Sequence, residues 1–186
     1  MEAQMSESSS KEKNFDQLFK QISPEEICDN VFTMGFTVIT AGKEDRYNSM
    51  IGSGGGFGLL FKKPTTWSLL RSDRYTLEII QEEQTYTLSY FPNEYKAQAL
   101  FLGSESGRDS EKMKEVELTS VQTPSGDMSF KEARLILECK LTAITTPDPD
   151  DFCSQEARDY ISEAYKEPSD YRKLVFGEIT HVWVKK

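Results

Sequence analysis

Two arginines and a threonine stand close together in the segment 71–76, which reads Arg-Ser-Asp-Arg-Tyr-Thr. Guanidinium groups bind phosphate oxygens through charge-assisted hydrogen bonds. A helix is predicted to begin at Thr76, whose hydroxyl can cap the helix N-terminus, and a helix N-terminus favours anions. Arg71, Arg74 and Thr76 therefore form a candidate phosphate site. The alternative is that both arginines are ordinary surface charges.

The segment 47–56 is rich in glycine and polar residues, and we predict that it forms a wide turn. It reads Tyr-Asn-Ser-Met-Ile-Gly-Ser-Gly-Gly-Gly. A backbone without bulky side chains allows the close approach of a flat ligand, although a β-bulge or a turn without a ligand fits the same composition. Gly54 is followed three positions later by Phe57, and no Gly-Lys-Ser/Thr sequence occurs. The sequence therefore argues against a kinase, an NTPase or a Rossmann-type dinucleotide-binding protein.

The segment 106–112, Ser-Gly-Arg-Asp-Ser-Glu-Lys, is a second place where an anion could be held. It carries two cations, Arg108 and Lys112, in a loop that runs into a predicted short helix. An ordinary capped helix start explains the same residues equally well.

Side chains for hydrolytic catalysis or zinc binding are scarce. The single histidine, His181, falls in a predicted terminal strand, where a structural role is commoner. Cys28, Cys139 and Cys153 are widely spaced and form no CxxC pair, which argues against zinc. We predict that Cys139 lies in the core, that the first helix covers Cys28, and that Cys153 is exposed. Chemistry would have to come from a cofactor.

Composition limits the partners of this chain. It has 186 residues, a net charge of −9 and a pI near 4.8, so neither nucleic acid nor an anionic membrane is an expected partner. Residues 1–13 lack the pattern of a secretory signal, and no apolar run reaches the length of a membrane span. A reducing, cytoplasmic setting is expected.

The hydrophobic pattern predicts a mainly β fold, an antiparallel barrel with inserted short helices. We expect a disordered tail over residues 1–13 and a single domain over residues 14–186, with an acidic insertion at about 146–170. Alternation and β-branched residues predict strands at 36–40, 66–70, 86–91, 134–144 and 174–184, with a hairpin at 42–46. Helical patterns are found at 14–30, as two short helices, and at 76–83, 93–104, 110–116 and 154–164.

Several motifs together resemble the flavin reductase-like, FMN-binding split-barrel family, and most of all its flavoredoxin branch. The resemblance runs from about Val31 to the C-terminus. The motifs are Asn48-Ser49-Met50, Gly52-Ser53, Lys63-Pro64, the segment 71–76, Ser106-Gly107-Arg108-Asp109, Glu132 to Cys139, and Phe176-Gly177-Glu178-Ile179.

This resemblance implies a homodimer of Greek-key split barrels that holds FMN noncovalently at the subunit interface. NADH or NADPH would be the transient electron donor, and flavin would carry the hydride chemistry, so no catalytic side chain is expected. The backbone from Asn48 to Gly54 would line the isoalloxazine ring, and Arg71, Arg74 and Thr76 would bind the phosphate. The cofactor-binding residues expected on this basis are Asn48, Ser49, Met50, Ile51, Gly52, Ser53, Gly54, Arg71, Arg74 and Thr76.

The chain departs from the family pattern at three places. Related sequences commonly have threonine and tryptophan where this chain has Ile51 and Gly54, and histidine near the last strand where it has Tyr171-Arg172-Lys173. The predicted function is an FMN-binding oxidoreductase of the flavin reductase or flavoredoxin type. The alternative is a catalytically silent split-barrel protein that keeps the dimer and the phosphate clamp.

Overall fold

The computed structural model describes residues 15–23, 37–52, 54–167 and 171–186. Within these ranges the strands are β1 (Phe19–Ile22), β2 (Thr37–Lys43), β3 (Arg46–Gly52), β4 (Gly55–Leu60), β5 (Lys63–Arg71), β6 (Thr85–Tyr90), β7 (Ser120–Gln122), β8 (Met128–Phe130), β9 (Leu135–Thr145) and β10 (Arg172–Lys185). The α-helices are α1 (Tyr75–Glu83), α2 (Lys96–Ser104), α3 (Lys112–Glu115) and α4 (Gln155–Ala164), with 3-10 turns at Asn93–Tyr95 and Pro149–Asp151.

One antiparallel sheet organises the molecule. Its strands follow the order β3-β2-β6-β9-β10-β5-β4, and β1 pairs with β10 beside this path. The described strands β7 and β8 form a separate two-stranded sheet. The main sheet does not close, because β3 and β4 end it on either side. The predicted mainly β, antiparallel fold with short helices is confirmed.

The core has two layers because the central strands are buried on both faces. Leu137 and Cys139 of β9 pack with Leu70 and Val175 in one cluster, and Ile136 packs on the opposite face against Trp183 in a second. Alternate residues of a strand point to opposite faces, so a strand covered on both sides contributes to both clusters. Each fully buried Leu, Ile or Val stabilises the fold by about 1.5 to 3 kcal/mol.

Two of the predicted elements differ in the structure. Residues 15–18 are helical, but Phe19–Ile22 form β1, which pairs with the end of β10, so the predicted helix is wrong from Phe19 to Ile22. Phe15 and Phe19 stack with their ring centroids 4.8 Å apart, and Phe15 meets Trp183 edge to face. This aromatic contact and the edge of β10 favour a strand there. The tail 1–13, most of the second predicted helix and Cys28 lie outside the described residues.

The predicted wide turn at 47–56 is also wrong, since most of it is strand. Residues up to Gly52 belong to β3, which forms the predicted hairpin with β2 around Lys43 and Arg46. The polar residues suggested a turn, but in the structure they are buried and hydrogen-bonded. The hydroxyls of Thr40 and Ser49, for example, are 2.8 Å apart between the two strands. Gly55 begins β4, and its φ of 157° accompanies close packing on the backbone of Trp67 and Ser68.

Candidate anion-binding cleft

A cleft of about 500 Å³ opens between β3 and β5, next to α1 and the segment from the end of α2 to α3. Six of the ten predicted cofactor-binding residues line it, namely Asn48, Met50, Ile51, Arg71, Arg74 and Thr76. The other lining residues are Leu69, Asp73, Tyr75, Leu102, Gly103, Glu105, Ser106, Gly107, Arg108, Asp109, Lys112 and Arg172. The two segments singled out from the sequence as separate anion sites therefore share one cleft.

Three further predicted residues that the structure describes, Ser49, Gly52 and Gly54, are not among those that line the cleft. Ser49 is fully buried, and its hydroxyl contacts Thr40 on the neighbouring strand. Gly52 packs beside Ile39, and Gly54 accepts a hydrogen bond from the Leu69 amide. Ser53 lies outside the described residues. Of the described residues from 48 to 54, Asn48, Met50 and Ile51 line the cleft, and a ring-lining role for the backbone of this run stays a prediction.

Thr76 does not cap α1 as predicted. The N-cap residue is Arg74, and its side chain forms no capping bond. Thr76 lies one residue inside the helix, is 1% exposed, and its hydroxyl oxygen accepts a hydrogen bond from Nδ2 of Asn48 at 2.8 Å. Because Asn48 supplies the proton, the hydroxyl proton of Thr76 remains to be donated to another acceptor.

Asn48 is buried beside the cleft, and of its two side-chain amide atoms only the nitrogen has a hydrogen-bond partner. Its side-chain oxygen Oδ1 has no hydrogen-bond partner among the described residues. A Cβ atom at Gly107 would lie 2.1 Å from this oxygen, so only glycine allows the loop to approach here. A buried acceptor without a partner costs about 1 to 3 kcal/mol, so this close packing against Gly107 is an unfavourable contact within the fold.

The arginines of the predicted phosphate site are held by Asp73. Nη2 of Arg71 donates to Oδ2 of Asp73 at 3.0 Å, and Nε of Arg74 is 3.9 Å from Oδ1 of the same carboxylate. The amide of Arg74 donates to the carbonyl of Arg71 at 3.2 Å, which closes the turn between β5 and α1. The turn thus places both guanidinium groups on the cleft before any ligand arrives.

Arg108 joins the loop after α2 to the start of α1. Its Nη1 donates to the backbone carbonyl of Asp73 at 2.8 Å, and its Nη2 pairs with the carboxylate of Glu78. The guanidinium carbon lies 5.2 Å from the ring centroid of Tyr75, while Arg46 covers the same ring at 5.7 Å. With both terminal nitrogens engaged, Arg108 fixes the loop that carries Gly107.

Lys112 is a buried cation at the cleft. Its Nζ donates to the carbonyls of Leu102 and Glu105 at 2.9 and 2.8 Å, and the residue is only 2% exposed. Burial, and after it the charge of Arg74, lower the pKa of Lys112 from 10.5 to about 8. An anion in the cleft would favour the protonated amine.

The cleft is locally cationic in an acidic chain. Its cations are Arg71, Arg74, Arg108, Lys112 and Arg172, against the carboxylates of Asp73, Glu105 and Asp109. The whole chain has a net charge of −9. Walls of one charge sign raise the local concentration of the opposite ion. The segment 106–112, considered from the sequence as a second anion site, brings Arg108 and Lys112 to the cleft, whereas Arg172 was noted only as a departure from the family pattern.

Neither of the two described cysteines lines the cleft. Cys139 is buried as predicted, and burial raises the pKa of its thiol to about 12, while Cys153 is exposed as predicted. Among the described residues, no group of three or more His, Cys, Asp or Glu side chains could hold a metal ion. In the same part of the chain, every helix is too short or too polar to cross a membrane.

The comparisons with known proteins agree with this architecture. The family model of the flavin reductase like domain matches residues 30–186. No curated protein matches the chain. Among solved structures, an FMN-binding domain of a flavin reductases-like enzyme from Shewanella baltica is similar with a TM-score of 0.67 and 15% identity, over 89% of this chain and 76% of that chain.

Two further structures show the same fold. Flavoredoxin from Methanosarcina acetivorans has a TM-score of 0.62 and 17% identity, over 85% of this chain and 73% of that one. A split barrel domain protein from Shewanella frigidimarina has a TM-score of 0.63 and 19% identity, with 84% and 71% covered. The resemblance read from the motifs is confirmed, and so is the split-barrel fold. With most of its length matched by the family model, the chain belongs to the flavin reductase-like family of FMN-binding split-barrel proteins.

Proposed function

We propose that this protein binds FMN and passes electrons to it from a reduced nicotinamide, as an oxidoreductase of the flavin reductase or flavoredoxin type. The observation that carries the proposal is the cleft, where cations and a buried hydroxyl stand next to apolar side chains. A ligand with a phosphate at one end and a flat apolar ring at the other suits this arrangement. Family membership supplies the identity of that ligand.

The residues of the cleft fit FMN in two respects. Arg71, Arg74, Lys112 and the hydroxyl of Thr76 would hold the phosphate, because together they offer cationic and neutral donors. Met50, Ile51 and Leu69 would supply apolar contacts to the ring. Asn48 lines the same cleft and would act through Thr76, whose hydroxyl oxygen accepts from its Nδ2.

The cofactor and the protein would have different roles in the reaction. Bound FMN would supply the two-electron redox chemistry that side chains lack. The protein's own residues bind, orient and shield the reacting groups, and preorganised geometry of this kind accelerates a reaction without acid or base catalysis. Asp73, Arg108 and Gly107 hold the cleft in shape, so the binding groups need little rearrangement when the ligand arrives.

The proposal includes the homodimer and the cytoplasmic setting expected from the sequence. Support for a second copy comes from the outer face of β5 and β10, where Trp67 pairs with Phe176 and Leu69 with Leu174. Trp67 is 39% exposed. At the tip of the adjacent β4–β5 hairpin, Leu59 and Phe61 are 76% and 85% exposed. An apolar face of this kind is typical of a protein–protein interface.

An absorption spectrum and a titration with FMN test the proposal. Oxidised flavin absorbs at about 370 and 450 nm, and this property belongs to the cofactor itself. We expect purified protein to show these bands or to acquire them with added FMN, and then to oxidise NADH or NADPH. Protein that remains colourless with FMN would refute the proposal. FMN binding without nicotinamide oxidation would favour the silent binding protein, an alternative supported by Ile51, whose aliphatic side chain lines the cleft without a hydrogen-bond donor.

A further inference from the structure

Arg172 faces Arg71 across two neighbouring strands. The two residues are direct Cα partners in the antiparallel pairing of β10 with β5, and both line the cleft. Direct partners project to the same face with their Cβ atoms about 5 Å apart, and like charges in this position destabilise a sheet. The pair therefore carries an electrostatic cost in the protein without ligand.

The charge of Arg71 is partly balanced, and that of Arg172 is not. Arg71 donates to Asp73 at 3.0 Å. The side chain of Arg172 forms no hydrogen bond or ion pair with any residue that the structure describes. The neighbouring Lys173 points to the other side of β10, where its Nζ donates to the hydroxyl of Thr146 at 2.7 Å. Unlike Arg71 and Lys173, Arg172 therefore has a side chain that is available to bind a ligand.

Arg172 belongs to a different structural element from the cations at α1 and after α2. Arg74, Thr76 and Lys112 belong to α1 and the segment after α2, whereas Arg172 stands on β10 at the end of the apolar face formed by Leu69 and Leu174. A phosphate held by the α1 group leaves the charge of Arg172 unmatched. Leu69 and Arg172 both line the cleft, so a ring packed on Leu69 would have the guanidinium of Arg172 beside it.

We propose that Arg172, opposite Arg71, binds an anionic group of the second ligand that reacts with the flavin, and so selects for negatively charged reactants. The proposal rests on the proposed function. The anionic group is a carboxylate or a phosphate, since a planar guanidinium forms paired hydrogen bonds with either. It could belong to a carboxylated acceptor or to the 2′-phosphate of NADPH.

The test uses FMN-loaded protein and ligand pairs that differ in charge. Benzoate and benzamide are titrated against the flavin absorbance to give dissociation constants, and the initial rates of flavin reduction by NADPH and NADH are compared under anaerobic conditions. Three proteins are measured: wild type, Arg172→Gln and the matched control Lys173→Gln. The control removes the same charge from the adjacent residue on the other side of β10.

We expect Arg172→Gln to weaken the binding of benzoate, or the reaction with NADPH, by about tenfold, with benzamide and NADH changed less than twofold. An effect on benzoate alone identifies a carboxylated ligand, and an effect on NADPH alone identifies the dinucleotide phosphate. Lys173→Gln should behave as wild type, and FMN affinity should remain within twofold in both variants.

Two results would overturn the inference. Equal effects on charged and neutral ligands would show that Arg172 has no anion preference. A large loss of FMN affinity in Arg172→Gln would place the residue in the phosphate clamp instead. Protein that takes up no FMN would refute the proposed function and this inference together, whereas FMN-loaded protein without charge discrimination would refute the inference alone.

Discussion

The amide nitrogen of Asn48 donates to the hydroxyl oxygen of Thr76 over 2.8 Å, joining β3 to the first turn of α1. The two residues are 28 positions apart in the chain, and both are almost completely buried. This bond fixes which way the Thr76 hydroxyl can donate. In the proposed FMN complex, Asn48 would therefore act on the phosphate through Thr76, in addition to the contact with the ring that the resemblance implied.

Asn48→Ala should weaken FMN binding through Thr76. We expect a loss of about 1 kcal/mol, or about fivefold in Kd, because the hydroxyl is no longer oriented. Riboflavin, which lacks the phosphate, should bind both proteins alike. Thr76→Val should lose a similar amount, and the double variant should lose little more than either single variant. Additive losses, or equal losses for riboflavin, would show that Asn48 acts only on the structure.

Arg74→Ala should remove a charge-assisted contact to the phosphate. The expected cost is about 1.5 to 3 kcal/mol in FMN affinity, measured by fluorescence titration. Arg46→Ala is the matched control, because Arg46 also contacts the Tyr75 ring and does not line the cleft. Unchanged affinity in Arg74→Ala, or an equal loss in Arg46→Ala, would mean that the phosphate is bound elsewhere.

Gly107→Ala should damage the cleft by steric conflict. The new methyl group would lie 2.1 Å from Oδ1 of Asn48, so the loop or the amide must move. We expect a loss of about 1 to 3 kcal/mol in the free energy of unfolding, with weaker FMN binding. Gly58→Ala is the control, since its nearest contact would be an ordinary 3.8 Å to Trp67. Adding Asn48→Ser should restore part of the stability, and no recovery would argue against this contact.

Much of the fold could be predicted because its strands alternate around a core, as in Leu135, Leu137 and Cys139 of β9. The strand β3 was missed because its polar residues are buried through bonds to other elements, and local composition cannot report such bonds. The partnership of Arg71 with Arg172 was out of reach for the same reason: strand register joins residues that are a hundred positions apart. Arg71, Arg74 and Thr76 could be grouped from the sequence because they lie within six consecutive residues.

The charge of Lys112 should make both stability and FMN binding depend on pH. Its pKa is about 8 in the folded protein and 10.5 in the unfolded chain, since burial disfavours the ammonium. Between these values the unfolded chain binds more protons. The contribution of Lys112 to the free energy of unfolding therefore rises with pH from about 8 to 10.5, and it is lost as pH falls through about 8.

FMN affinity should show the opposite trend for the same reason. Phosphate is fully charged well above its second pKa of about 6, so the change near pH 8 comes from the amine of Lys112. Titrations from pH 7 to pH 9.5 should show weaker binding as pH rises through about 8. Lys112→Arg keeps a charge throughout this range and should flatten the profile. A wild-type profile that is already flat would exclude Lys112 from the phosphate site.

Trp67→Glu should separate the proposed dimer. Trp67 lies on the outer face of β5 and is 39% exposed, so a charge there is tolerated by one protomer but opposed by an apolar partner surface. Light scattering after size-exclusion chromatography should show a dimer for wild type and a monomer for the variant. Tyr160→Glu changes an aromatic side chain that is 69% exposed on α4 and should leave the dimer intact. If the partner completes the flavin site, as the family resemblance implies, FMN affinity should fall with dimerisation in Trp67→Glu and not in Tyr160→Glu. A Trp67→Glu protein that remains a dimer would place the interface on another surface.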